Sequence, residues 1–82
     1  MSMNRDRLLE ILGYKKEENK IGWYFKPFEN YSDITLHINK VNLNEKHVDC
    51  NTEITTKDYV EAIDNAWELL QDDVKALAMY KD

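Results

Sequence analysis

The sequence predicts an α+β fold: a short N-terminal helix, a three-stranded antiparallel sheet, and a long C-terminal helix packed on one face of the sheet. Two patterns favour it. Residues 21–26 and 33–41 alternate apolar and polar side chains as half-buried strands do, whereas residues 55–80 repeat apolar side chains with a helical period. The 82 residues suffice for one small core, so we expect residues 1–82 to form a single domain.

The first helix is predicted over residues 4–12, where Leu8, Ile11 and Leu12 fall on one side. Gly13 follows, and glycine readily adopts the left-handed conformation that commonly ends a helix. Tyr14 can then fold back onto the last helical turn. Residues 15–20 are mostly charged and are expected to form a loop.

The alternation within each strand predicts which side chains reach the core. In the first strand, Trp23 and Phe25 are expected to face inward and Tyr24 outward. Pro27 lacks an N–H for the ladder and is expected to end this strand. The second strand is expected to turn an aliphatic row inward: Ile34, Leu36 and Ile38.

A weaker third strand is predicted over residues 46–51, antiparallel to the second. Matching apolar residues across the pair selects one register, because a slip by one residue would turn a polar side chain into the core. The predicted facing pairs are Ile38–Val48, Leu36–Cys50, His37–Asp49 and Asn39–His47.

The long helix has a strong start signal, in which Thr55 is the N-cap, Asp58 completes a capping box, and Ile54 and Tyr59 form a hydrophobic staple. We expect Trp67 at the centre of its buried face, against the second strand. The apolar stripe comprises Tyr59, Ile63, Ala66, Trp67, Leu70, Val74, Leu77 and Ala78. An unbroken helix and a bend or new start near residues 71–73 are both compatible with this pattern.

The water-facing side of this helix is almost entirely acidic. The row comprises Glu61, Asp64, Glu68 and Asp72, with Asp58 and Asp73 at its margins. Spacings of three, four and four stack the four central carboxylates along one face, and each like-charged neighbour costs a helix roughly 0.2–0.5 kcal/mol. Only Lys57 and Lys75 relieve the row. The fold does not require such a row, and two explanations stay open: a negative face that keeps the protein soluble, and a basic partner that receives the carboxylates.

Charge and cysteine content restrict the function classes. Cys50 is the only cysteine, so no disulfide forms within the chain, and no segment is apolar enough for a signal peptide or a membrane span. We therefore expect a cytoplasmic protein that binds no membrane. Residues 1–27 carry six bases and four acids (+2), and residues 28–82 carry five bases and twelve acids (−7). Without a basic cluster, direct binding to nucleic acid is disfavoured.

His37, His47, Asp49 and Cys50 are the residues that could indicate a metal site or a nucleophile. The predicted register places Cys50 on the inner face of the sheet and both histidines on the outer face, so the thiol and the imidazoles do not converge. We interpret the four as structural, with His37 and Asp49 as a cross-strand pair. We expect no catalytic residue, no cofactor and no metal site.

The layout of helix, antiparallel sheet and acidic helix is similar to that of small phage-encoded inhibitors of host defence, including some anti-CRISPR proteins that occupy DNA-binding clefts. It also resembles bacterial immunity proteins that neutralise nuclease toxins. The resemblance implies a non-enzymatic inhibitor, a DNA mimic that presents acids to a basic, nucleic-acid-binding surface of another protein. Carboxylates four residues apart on a helix rise by about 6 Å, comparable to the spacing of phosphates along one strand. The alternative is a structural or assembly protein that forms a homodimer.

Overall fold

The computed structural model describes residues 2–52 and 57–81. In these ranges the chain forms two helices and a four-stranded sheet, in the order α1 (Arg5–Ile11), β1 (Lys15–Lys16), β2 (Trp23–Phe28), β3 (Tyr31–Asn39), β4 (Lys46–Cys50) and α2 (Lys57–Leu77). The α+β fold is therefore confirmed, with a long C-terminal helix packed against an antiparallel sheet.

The sheet has one strand more than the sequence predicts. Its order is β1-β2-β3-β4 and all neighbours are antiparallel. The additional strand is β1, in which Lys15 pairs with Phe25 and Lys16 with Tyr24. Both β1 residues are exposed lysines, so they show no apolar alternation that could distinguish them from a charged loop.

The short helix α1 forms, but the predicted packed side of Leu8, Ile11 and Leu12 is wrong: Leu9 is fully buried, whereas Ile11 is 62% exposed. Asn4 is the N-cap, and its side chain accepts a hydrogen bond from the Arg7 N–H at 2.9 Å. Gly13 ends the helix with a φ of 95°, and the Tyr14 N–H then donates to the Leu9 carbonyl at 2.9 Å. This turn brings the Tyr14 ring back into the core beside Leu9.

The inward row of β3 is also confirmed, since Ile34, Leu36 and Ile38 are fully buried. The inward face of β2 is the opposite of the one predicted. Tyr24 is buried at 3% exposure, whereas Trp23 and Phe25 are only partly buried. The reason is that polar partners lie beneath the sheet: the Tyr24 hydroxyl donates to Asp6 at 2.7 Å. Alternation alone cannot tell which of two aromatic faces has such partners.

Strand β2 also continues past Pro27 to Phe28, although Pro27 was expected to end it. An irregularity in the register between Pro27 and Phe28 accommodates the proline, which has no N–H to donate. The chain then turns through residues 29–30, where Asn30 has a φ of 66°.

The β3–β4 hairpin places its side chains on the predicted faces of the sheet, but its register is shifted by two residues from the predicted one. Its facing pairs are Ile34–Cys50, Thr35–Asp49, Leu36–Val48, His37–His47 and Ile38–Lys46. The loop is wider because Asn39 organises it: the Asn39 Oδ1 accepts from the N–H groups of Val41 and Asn42, both at 2.9 Å. A shift by two keeps every side chain on its face, so apolar matching cannot detect it.

Helix α2 is continuous through residues 71–73, and the predicted start signal at Thr55 and Ile54 lies outside the described residues. The row of side chains that α2 buries is rotated around the helix axis from the predicted apolar stripe. The buried residues are Ala62, Ala66, Leu70, Asp73 and Leu77, and Trp67 lies partly exposed beside them. The prediction that Trp67 is the centre of the core is thus wrong, because two alanines let the helix approach the sheet closely along their own line.

Both ends of α2 are attached to the rest of the domain. Near its start, the Tyr59 hydroxyl donates to Asp33 at 2.9 Å. At its end, the Arg5 Nε donates to the carbonyl of Tyr80 at 2.8 Å and to that of Leu77 at 3.2 Å. The guanidinium also reaches the Lys40 carbonyl at 2.6 Å, so Arg5 links the end of α2 to the end of β3.

The rotation of α2 predicts unequal effects of two core substitutions. Leu70→Ala removes a fully buried side chain and should cost about 2–5 kcal/mol of unfolding free energy. Trp67→Ala should cost less, because the indole is partly exposed and its removal leaves an open cleft. Urea titration of the two variants measures both losses. A larger loss for Trp67→Ala would contradict this packing.

Tyr24 predicts a loss of stability at alkaline pH. Burial and the hydrogen bond to Asp6 raise the pKa of its hydroxyl to about 12. Between about pH 10 and pH 12 the unfolded tyrosine loses its proton while the folded one retains it, so the unfolding free energy should fall. In Tyr24→Phe this fall should be shallower when urea titrations are repeated across that range. An unchanged slope in the variant would contradict the assignment.

Candidate functional site

The acidic row predicted on the long helix is present as an exposed ridge. We define the acidic ridge as Glu61, Asp64, Glu68 and Asp72, all of which are exposed. At 3.6 residues per turn, the ridge lies about 150° around the helix from the buried line through Ala66 and Leu70. The same packing that buries the alanines therefore directs these four carboxylates into solvent.

The ridge is sparsely neutralised. Lys57 lies 4.0 Å from the Glu61 carboxylate, and both side chains are largely exposed. Among the described residues, no hydrogen bond or ion pair involves the side chains of Asp64, Glu68 or Asp72. Asp58 is exposed one turn before Glu61, in the first turn of α2. The carboxylates are therefore available to a basic partner.

Asp73 does not belong to this surface. It is 5% exposed, and its Oδ2 lies 3.0 Å from the Lys26 Nζ. The Tyr14 hydroxyl donates to the same oxygen at 2.8 Å, and Lys26 also donates to the Leu12 carbonyl at 3.0 Å. Burial and the Asp73 carboxylate raise the pKa of the Tyr14 hydroxyl far above its usual value. Asp73 is therefore a core residue, and the prediction that it lies at the margin of the water-facing acidic row is wrong.

A second group of polar residues lies on the outer face of the sheet, the face opposite to the one that α2 covers. Register neighbours Phe25, His37 and His47 form a row across β2, β3 and β4. The two imidazole rings stack with centroids 4.4 Å apart and planes 12° apart. The Trp23 ring approaches His47 at 5.5 Å, which gives the row an aromatic border.

Two carboxylates hold His37 from opposite sides. The Glu17 Oε1 lies 2.6 Å from Nδ1, and the Asp49 Oδ2 lies 2.9 Å from Nε2. The same Asp49 oxygen is 3.7 Å from the Nε2 of His47. We call Glu17, His37, His47 and Asp49 the histidine cluster. It brings two imidazole nitrogens and a carboxylate oxygen to one point on an open sheet face.

The sequence predicts part of this cluster. It places both histidines and Asp49 on the outer face and pairs His37 with Asp49, and the structure has that contact along a diagonal of the ladder. The register shift by two brings His47 directly opposite His37. Glu17 was missed because it lies in the charged segment between β1 and β2. Cys50 pairs with Ile34, whose side chain is on the inner face, so the thiol does not join the cluster.

Comparison with known proteins finds no relative: no protein-family model, no curated protein and no solved structure matches this chain. Across residues 2–52 and 57–81, no helix combines the length and the apolar character needed to cross a membrane.

Proposed function

We propose that this chain is a non-enzymatic protein-binding module whose acidic ridge occupies a basic, nucleic-acid-binding surface of another protein. The observation that carries the proposal is the exposure of Glu61, Asp64, Glu68 and Asp72 along one continuous helix. Asp64, Glu68 and Asp72 have no charged or hydrogen-bonded partner among the described residues, so a partner could bind these three without breaking an ion pair within the chain, and only the exposed contact of Glu61 with Lys57 would be exchanged.

The attachment of α2 at both ends supports the proposal. The helix is held near its start through Tyr59 and at its end through Arg5, and the ridge lies between these two attachments. A preorganised row of charges loses little conformational entropy on binding. The like-charge repulsion that the row imposes on the free helix would be relieved when lysine or arginine side chains lie between the carboxylates.

An apolar contact beside the ridge would complete such an interface. Val60 is 50% exposed and lies one helical turn before Asp64. Interfaces generally combine a small apolar anchor with surrounding charges, and the charges mainly accelerate encounter. Tyr24, which is expected from the sequence on the outer face of the sheet, is buried and cannot be such an anchor.

The test is a charge reversal with a matched control. Glu61, Asp64, Glu68 and Asp72 are replaced by lysine in one variant. In the control variant, four exposed acids outside α2 are replaced by lysine: Glu10, Glu18, Glu29 and Glu45. Both variants change the net charge by the same amount. Each is immobilised, exposed to bacterial lysate, and the captured proteins are identified by mass spectrometry and measured by surface binding kinetics.

We expect the control and the original chain to capture the same nucleic-acid-binding protein and the ridge variant to lose it. Duplex oligonucleotide should displace the captured protein, and affinity should fall steeply as salt rises, because screening weakens exposed charge attraction. Equal capture by the ridge variant, or affinity independent of salt, would contradict the proposal. A chain that captures only copies of itself would support the homodimer instead.

A further inference from the structure

The histidine cluster has the spacing of a metal site. The ligating atoms of His37, His47 and Asp49 all lie within 4.8 Å of one another. In a tetrahedral zinc site with bonds of about 2.0–2.1 Å, neighbouring ligand atoms lie about 3.3 Å apart. The separations of 2.9 Å and 3.7 Å from Asp49 to the two imidazole nitrogens fall on either side of that value. Small rotations of the partly exposed His47 and the exposed Asp49 side chains would equalise these two separations.

Glu17 is placed to favour the tautomer that coordination requires. A neutral imidazole has one N–H, and a carboxylate 2.6 Å from Nδ1 favours that hydrogen on Nδ1. The lone pair of Nε2 then points at the Asp49 oxygen 2.9 Å away, and two lone pairs at that distance repel unless a cation or a proton lies between them. A carboxylate that orients a histidine through its other nitrogen is the usual support of a metal ligand.

The charge of the cluster favours a divalent cation over a proton between His37 and Asp49. Glu17 and Asp49 together contribute two negative charges, and the Oε2 of Glu17 is buried without a hydrogen-bond partner. Lys20 borders this face, but its ammonium lies over the Trp23 ring, 6.0 Å from the centroid, and no ion pair joins it to either carboxylate among the described residues. A proton on His37 would balance one charge, whereas a divalent cation balances both.

We propose that His37, His47 and Asp49 bind a zinc ion, with Glu17 as the positioning residue for His37. Two imidazoles and one carboxylate are a ligand set that zinc accepts, whereas magnesium and calcium prefer oxygen ligands alone. His47 and Asp49 are solvent-accessible, so water takes the fourth position. The ion joins β3 to β4 and holds Glu17 against them. This site is independent of the acidic ridge, which lies on the other side of the domain.

The experiment titrates the purified chain with ZnCl2 by calorimetry and with CoCl2 by visible absorption. We expect one bound ion per chain, a higher melting temperature with zinc, and the intense absorption of tetrahedral cobalt. No thiolate-to-cobalt band should appear, because Cys50 belongs to the inner face of the sheet. Magnesium at the same concentration should not compete.

Variants assign the ligands. Asp49→Ala and His47→Gln should lose the tetrahedral cobalt spectrum, and the melting temperature of neither variant should rise with zinc. Glu45→Ala removes an exposed carboxylate in the β3–β4 loop and should bind zinc like the original chain. Glu17→Gln should retain the cobalt spectrum but weaken binding by about 10–100-fold, as expected of a residue that orients a ligand.

Three results would overturn the proposal. The first is zinc binding that is equally tight in the original chain and in His47→Gln. The second is a weak, octahedral cobalt spectrum, which would show a hydrated ion rather than a site built from imidazoles. The third is loss of binding in Glu45→Ala as well, which would show that general surface charge, and not this cluster, attracts the ion.

Discussion

The buried ion pair between Lys26 and Asp73 determines how the long helix lies on the sheet. Removing two charges from water is costly, and the cost is offset only when each charge is well partnered. Here Asp73 also accepts from Tyr14, and Lys26 also donates to the Leu12 carbonyl. The ammonium lies 4.5 Å from the centre of the Tyr14 ring, which adds a cation–π contact. Helix α2, strand β2 and the turn after α1 therefore meet at this point.

Both exposed surfaces follow from this pair. Asp73 faces Lys26 from the same side of α2 that buries Ala66 and Leu70, so the acidic ridge on the other side is directed to water. Because Lys26 must face inward, its strand neighbour Phe25 faces outward, next to His37. The ridge and the histidine cluster thus lie on opposite sides, the ridge on the outer side of α2 and the cluster on the outer face of the sheet. A macromolecular partner on one surface would leave the other surface accessible, so partner binding and metal binding can be measured separately.

Much of the fold could be predicted from the sequence because the decisive signals are local. The aliphatic alternation of β3, Gly13 after α1 and the helical period of α2 each act within a few residues. The wrong predictions for β2 and α2 have a common cause. Polar partners that are distant in sequence determine which of two possible faces of the strand or helix is buried. Tyr24 is inward because of Asp6, and Asp73 is inward because of Lys26. The hairpin register depends on the Asn39 side chain, and a shift by two leaves the apolar pattern unchanged.

The most direct test of this account is a double-mutant cycle on Lys26 and Asp73. It is made in a Tyr14→Phe background, so that no buried hydroxyl is left unpaired when Asp73 is replaced. Lys26→Met and Asp73→Leu should each cost about 3–5 kcal/mol of unfolding free energy, because each leaves the other charge buried alone. The double variant should cost at least about 2 kcal/mol less than the sum of the two. Losses that add to within about 0.5 kcal/mol would contradict the claim that this pair positions the helix.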